Sequence, residues 1–176
     1  MQKPNIVFVF DDQHRYTALG ASGNPVIRTP NLDRLATQGL TFDRAFSSCP
    51  ICSPYRGQLL TGRYAHKNGV IDNEYRMRDD QVTLAQAFKR AGYHTGYVGK
   101  WHLGYPPYTE DKRYGFDTMA AYNCIHSYYK VAYSENESDP IKIDGWAPEK
   151  ETDLAIQQDT QYGAPHDVYG DKDKHA

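Results

Sequence analysis

Cys52-Ser53-Pro54-Tyr55-Arg56 sets a thiol two residues before a proline and four before a guanidinium, ahead of a short apolar run that closes in Thr61-Gly62. Proline suits the first turn of a helix, where its missing N–H is no loss, and glycine suits the position just past the end. The spacing therefore predicts Cys52 at a helix N-terminus, with Arg56 one turn on along the same side. Exposed N–H groups and the helix dipole favour negative charge there, so residues 48–63 read as a place for an anion. Asp11-Asp12 is a second chemical feature. Alone it reads as a solvated acidic turn, but adjacent carboxylates beside an anion site call for a cation between them. A third is Gly99-Lys100-Trp101-His102-Leu103-Gly104, an amine and an imidazole bracketed by glycines.

The elements around these residues read as α/β. Asn5-Ile6-Val7-Phe8-Val9-Phe10 has the pattern of a strand buried on both faces of a parallel sheet, which puts Asp11 and Asp12 at its C-terminal end, where such sheets place their ligands. Residues 20–30 are loop. Thr29 to Gly39 then reads as a helix: Thr29 as N-cap, Pro30 at the first position, Leu32, Leu35 and Ala36 as core face, Gly39 as stop. Residues 40–46 read as a short strand or extended segment, and 63–80, with His66, Lys67 and Asn68, as connecting loop. A second helix is expected over 83–91, capped by Thr83 and stopped by Gly92, followed by a strand over 94–98 that ends in the Lys100 and His102 loop. Beyond Gly104 the signals are a loop at Pro106-Pro107, a turn at Tyr114-Gly115-Phe116-Asp117 and an aromatic stretch at 122–133 without a decisive period. Residues 135–148 read as loop, Thr152 as the start of a helix, and 158–176 as a polar, frayed tail.

With 176 residues, 39% hydrophobic and 24% charged, the chain is long enough for one globular domain. A net charge of -2 and a pI near 6.4, with no basic stripe, argue against nucleic acid as a partner. No apolar run approaches the roughly 20 residues that span a bilayer, and no leader pattern opens the chain. The expectation is no membrane partner and a cytoplasmic place as the sequence stands, or a periplasmic or secreted one if a signal peptide was removed. Cys49, Cys52 and Cys124 are too few and odd in number for a disulfide framework. Cys49-Pro50-Ile51-Cys52 matches the C-x-x-C of redox and zinc sites, but zinc would need a second ligand pair. Asn136-Glu137-Ser138 is a glycosylation sequon with force only in a secreted protein.

Taken together, Cys52-Ser53-Pro54-Tyr55-Arg56 with Leu59-Leu60-Thr61-Gly62-Arg63, the early Asp11-Asp12, the helix from Thr29 to Ala36, and Gly96-Tyr97-Val98-Gly99-Lys100-Trp101-His102-Leu103-Gly104 closely resemble the type I sulfatases of the alkaline-phosphatase-like superfamily. The motifs stand in the family's order and spacing. Tyr55 replaces a serine common in the family, and Cys49 is outside its motif. The resemblance implies a three-layer α/β/α fold with a mostly parallel central sheet, incomplete in this chain. Residues 1–157 would be the N-terminal part of a catalytic domain. It further implies conversion of Cys52 by a maturation enzyme to formylglycine, whose hydrate attacks a sulfate ester with one hydroxyl and expels sulfate with the other.

Asp11 and Asp12, with modified residue 52, would hold Ca2+, or alternatively Mg2+. Arg56 would hold the hydrate, Lys100 would bridge residue 52 and the sulfate, and His102 would move a proton during sulfate release. The family's later metal and sulfate ligands have no match here; His166-Asp167 is the one late candidate. The expected function is therefore a sulfuric ester hydrolase acting on a small-molecule or carbohydrate sulfate. A phosphodiester or phosphonate monoester hydrolase of the same superfamily, or a catalytically silent binding domain, is the alternative.

Overall fold

The computed structural model describes residues 3–163; the tail beyond, with His166-Asp167, lies outside the described residues. It comprises two compact units, Ile6–Ser47 on the one hand and Ser48–Ala176 with Met1–Asn5 on the other.

In the unit Ile6–Ser47 the helix starting at Pro30 forms as the sequence predicts: α1 spans Pro30–Gln38 and gives way to extended backbone at Gly39. Its start is built differently. The Thr29 hydroxyl donates to Asp33 Oδ1 (2.8 Å) and accepts from the Gly20 N–H (2.8 Å), so it does not cap the helix. Asp33 also accepts the Ala21 N–H at 2.7 Å. An ionised carboxylate is the stronger partner for that hydroxyl, and the pair fastens the 20–21 turn to α1. Leu32 and Leu35, expected as core, are exposed. Residues 6–10 also depart from expectation: no strand forms, and Val9 is 80% exposed. An apolar run becomes a buried strand only when neighbours on both sides take its N–H and C=O groups, and among the described residues no strand pairs with it. Residues 40–46 stay irregular for the same reason.

The larger unit carries the sheet and four helices: α2 (Cys52–Thr61), α3 (Ala65–Asn68), α4 (Leu84–Arg90) and α5 (Ala147–Tyr162). Thr83 caps α4, as its sequence predicts, and does so in a capping box with Gln86. The strands are β1 (Gly96–Lys100), β2 (Thr118–Tyr122), β3 (Ala132–Glu135) and β4 (Ile141–Lys142), in the order β1-β2-β3-β4. β1 begins two residues later than the sequence suggests and runs parallel to β2, with Tyr97 opposite Met119 and Lys100 opposite Tyr122. The β2–β3 and β3–β4 pairs are antiparallel, so this part of the sheet is mixed.

Alternation along the strands builds two cores. Tyr97, Met119 and Ala121 pack on one face with Leu60 of α2, Val70, Met77, Trp101 and Tyr108. Val98, Ala120 and Tyr122 pack on the other with Ala147 and Leu154 of α5, Val131, Tyr133 and Ile143. The result is helix, sheet, helix: an α/β architecture of the expected kind, of which the described residues form a part.

Helix α5 starts five residues before Thr152 and runs through residues 158–162, which the sequence reads as tail. Few apolar residues mark it, so its period is hard to read. Its far end is held by ring stacking of Tyr162 on His94, with centroids 3.9 Å apart. In the sequon, Asn136 Oδ1 accepts the Met119 N–H at 2.9 Å, which commits the amide to the fold. Among the described residues no helix is long and apolar enough to cross a membrane.

Candidate functional site

Cys52 is the first residue of α2, and Gly62 closes the helix in the left-handed region (φ 65°), donating its N–H to the Gln58 carbonyl at 2.8 Å. Ile51 precedes the helix in extended conformation and offers no side-chain cap. The cap comes from elsewhere: Asn73 Oδ1 accepts the Ser53 N–H at 3.0 Å. Pro54 has no N–H to give. The helix start thus presents fewer open donors than its sequence suggests, and charge at the site rests more on side chains.

Those side chains come from the end of β1 and the loop that follows it. Lys100 Nζ lies 3.6 Å from Cys52 Sγ. Arg56, only 5% exposed, donates from Nη1 to the Lys100 carbonyl (2.6 Å) and to the Tyr97 hydroxyl (2.9 Å), and Tyr97 itself donates to the Lys100 carbonyl. Ser53, fully buried, donates its hydroxyl to the His102 carbonyl at 2.6 Å. From the other side, the Trp101 and His102 N–H groups donate to the carbonyls of Tyr122 (2.7 Å) and Asn123 (3.1 Å), prolonging the β1–β2 ladder past the strand ends. Gly99 at φ 104° near the end of β1 and His102 at φ 51° in the loop turn the chain there. Trp101, 1% exposed, pins it into the core.

Four residues singled out by sequence therefore gather: Cys52, Arg56, Lys100 and His102. The sequence gives no sign of Asn73, whose bond spans twenty residues to a loop without periodicity. Tyr97 could have been noticed, since it stands three residues before Lys100 on a strand that must turn one face to the core. Beside the loop, Glu151 of α5 holds Oε2 3.7 Å from where a Cβ on residue 99 would lie. Burial raises the Glu151 carboxyl above its ordinary range, against the opposing hydrogen bond from Tyr122.

Asp11 and Asp12 belong to the other unit. Asp11 Oδ2 is 2.6 Å from His14 Nδ1. That hydrogen bond, with a lesser one to the Ala18 carbonyl, raises the imidazole of His14 above its ordinary value. Carboxylate oxygens are the right donors for a hard cation. Yet among the described residues no three His, Cys, Asp or Glu side chains gather into a metal cage. The described residues do not complete a cation site. His66 sits in α3 and stacks on Tyr64, with centroids 5.9 Å apart.

The family model for sulfatases matches residues 4–166. The chain belongs to the sulfatase family. An ulvan-active sulfatase from Formosa agariphila is 39% identical over 163 residues, covering 89% of this chain and 31% of that protein. An N-acetylglucosamine-6-O-sulfatase from Bacteroides thetaiotaomicron is 34% identical over 158 residues, covering 88% and 27%. Among solved structures, BT4656 in complex with its substrate D-glucosamine-2-N,6-O-disulfate superposes with a TM-score of 0.81 at 32% identity, covering 96% of this chain and 36% of that one. This sulfatase-family chain thus spans 27–31% of the length of those curated relatives. Sulfatases of the family generally work with a divalent metal and a formylglycine.

Proposed function

We propose that the chain is part of a sulfuric ester hydrolase that releases inorganic sulfate from a sulfated carbohydrate, with Cys52 as the precursor of its nucleophile. The observation that carries the reading is the approach of Lys100 Nζ to Cys52 Sγ at 3.6 Å, on a loop whose backbone Arg56 and Ser53 both grip. The sugar is suggested by the relatives, which are named an ulvan-active sulfatase and an N-acetylglucosamine-6-O-sulfatase. Formylglycine at position 52, made by a maturation enzyme, supplies when hydrated one hydroxyl to attack sulfur and a second to release sulfate.

The chain's own groups take the surrounding tasks. The Lys100 ammonium holds the oxygen borne by residue 52 and offsets charge that grows on the sulfate oxygens. Arg56 keeps the Lys100 backbone fixed beneath it while adding a buried cation to the local field. His102, its backbone held by Ser53 and Asn123, passes a proton at sulfate release. Asp11 and Asp12 are proposed as the chain's carboxylates for a divalent cation, Ca2+ or Mg2+.

The test is mass spectrometry of the peptide carrying Cys52 after co-expression with a formylglycine-generating enzyme. An aldehyde at residue 52 is expected; an unmodified thiol throughout would refute the reading. Sulfate release from glucosamine-6-sulfate by the 176-residue chain should fall far below that of a full-length relative, because the described residues do not complete a cation site. Equal rates would overturn that expectation.

A further inference from the structure

We propose that Cys49 and Cys52 form a reversible dithiol pair, and that closing a Cys49–Cys52 disulfide withholds the Cys52 thiol from conversion to formylglycine. The consequence rests on the sulfatase reading; the bond itself does not. Three observations carry it. All three cysteines are free and half-buried, so small reagents can reach them. Cys52 opens a ten-residue helix while Cys49 stands three residues upstream among bends, a C-x-x-C spacing in which the second cysteine takes the helix start. Closure needs the two Cα atoms within about 4.4–6.8 Å. Ile51 between them is extended (φ -116°, ψ 147°), so closure turns that residue, ahead of the first helix bond, from the Tyr55 N–H to the Ile51 carbonyl. Lastly, Lys100 Nζ at 3.6 Å puts a cation beside the Cys52 sulfur, where it meets the thiolate that thiol–disulfide exchange passes through.

The oxidant is a low-molecular-weight disulfide such as oxidised glutathione. Cys52 thiolate attacks one of its sulfurs, giving a mixed disulfide and one free glutathione thiolate. Cys49 thiolate then attacks Cys52 Sγ, forming the intramolecular bond and releasing the second glutathione thiolate. Two protein thiols lose two electrons and two protons, and one glutathione disulfide becomes two thiols. A reducing dithiol reverses the sequence. Cys124, whose Sγ lies 3.6 Å from His126 Nε2 on the loop after β2, serves as the internal reference.

The test equilibrates the reduced 176-residue chain in glutathione buffers of increasing oxidised share, then alkylates and maps the peptides by mass. Expected is a loss of two hydrogens across the peptide bearing Cys49 and Cys52, under conditions that leave Cys124 alkylated. In Cys49→Ser the glutathione adduct on Cys52 should accumulate at least about tenfold over wild type, since no resolving thiol remains. Equal adduct in both proteins, or Cys124 oxidised before the pair, would overturn the proposal. The wild-type map needs no variant, so a misfolded Cys49→Ser leaves it decisive. Offered to the maturation enzyme, the oxidised chain should be converted at least about tenfold less than the reduced chain. Equal conversion overturns the blocking role. No conversion of the fully reduced chain refutes the sulfatase reading instead, while the disulfide stands or falls on the mass map.

Discussion

Ser53→Ala removes one oxygen atom, and its cost can be worked from the contacts around it. The hydroxyl is fully buried and donates to the His102 carbonyl at 2.6 Å. Alanine leaves that carbonyl without this donor in a closed site, a loss of about 1–3 kcal/mol. At a urea slope of about 2 kcal/mol per molar, a mid-range loss of about 2 kcal/mol lowers the unfolding midpoint by about 1 M. Trp101 offers the readout, because it neighbours His102 and is buried, whereas Trp146 is half exposed and changes less on unfolding. Its emission followed through a urea titration should show the shift at unchanged slope. Ser48→Ala, at an exposed hydroxyl, should move the midpoint by less than about 0.3 M. A Ser53→Ala midpoint within that same margin would refute the idea that this one bond secures the loop.

Three further outcomes test the packing and the charges. Gly57→Ala should destabilise by about 1–2 kcal/mol although alanine favours helices, since its Cβ would lie 2.9 Å from Val70 Cγ2; a stabilised variant in thermal melts would contradict this. The Asp117 carboxyl titrates lower than usual: burial alone would raise it, but Lys89 at 2.6 Å and the Thr95 hydroxyl and N–H outweigh burial. Its contribution is therefore present above the ordinary carboxylate range and lost as pH falls through the folded value, and Asp117→Asn should flatten the acid limb of stability against pH. Glu151 has the opposite sign, raised by burial, so its stabilising contribution is full below the ordinary range and lost as pH rises through the folded value. Glu151→Gln should accordingly be as stable as wild type in acid and more stable near neutrality, checked by urea unfolding at both ends.

Local signals carried much of this fold. Thr83 with Gly92, Pro30 with Gly39, and Pro54 with Gly62 each mark a helix by chemistry confined to a few residues, and all three helices form. The gathering of Cys52, Arg56, Lys100 and His102 followed from motif order as well as from local chemistry. What stayed hidden depends on partners distant in sequence. Residues 6–10 have strand composition, yet hydrogen-bonded neighbours decide whether composition becomes structure, and the described residues supply none. β2 was missed because Thr118-Met119-Ala120-Ala121-Tyr122 buries small side chains on both faces and shows no alternation to read. The start of α5 was misplaced because Pro148 and Ala147 carry little periodic signal, and Thr152, which looks like a cap, instead donates its hydroxyl back to the Pro148 carbonyl at 2.7 Å.

Arg56 and Ser53 both grip the loop through main-chain oxygens, those of Lys100 and His102. Such a clamp is blind to what the clamped residues are. The side chains at 100 and 102 can be exchanged while their carbonyls remain in place, so the chemistry at these positions can be rewritten without rebuilding the mount. That separation makes the loop a socket: variants at Lys100 and His102 report on reactivity, and variants at Ser53 and Arg56 report on aim.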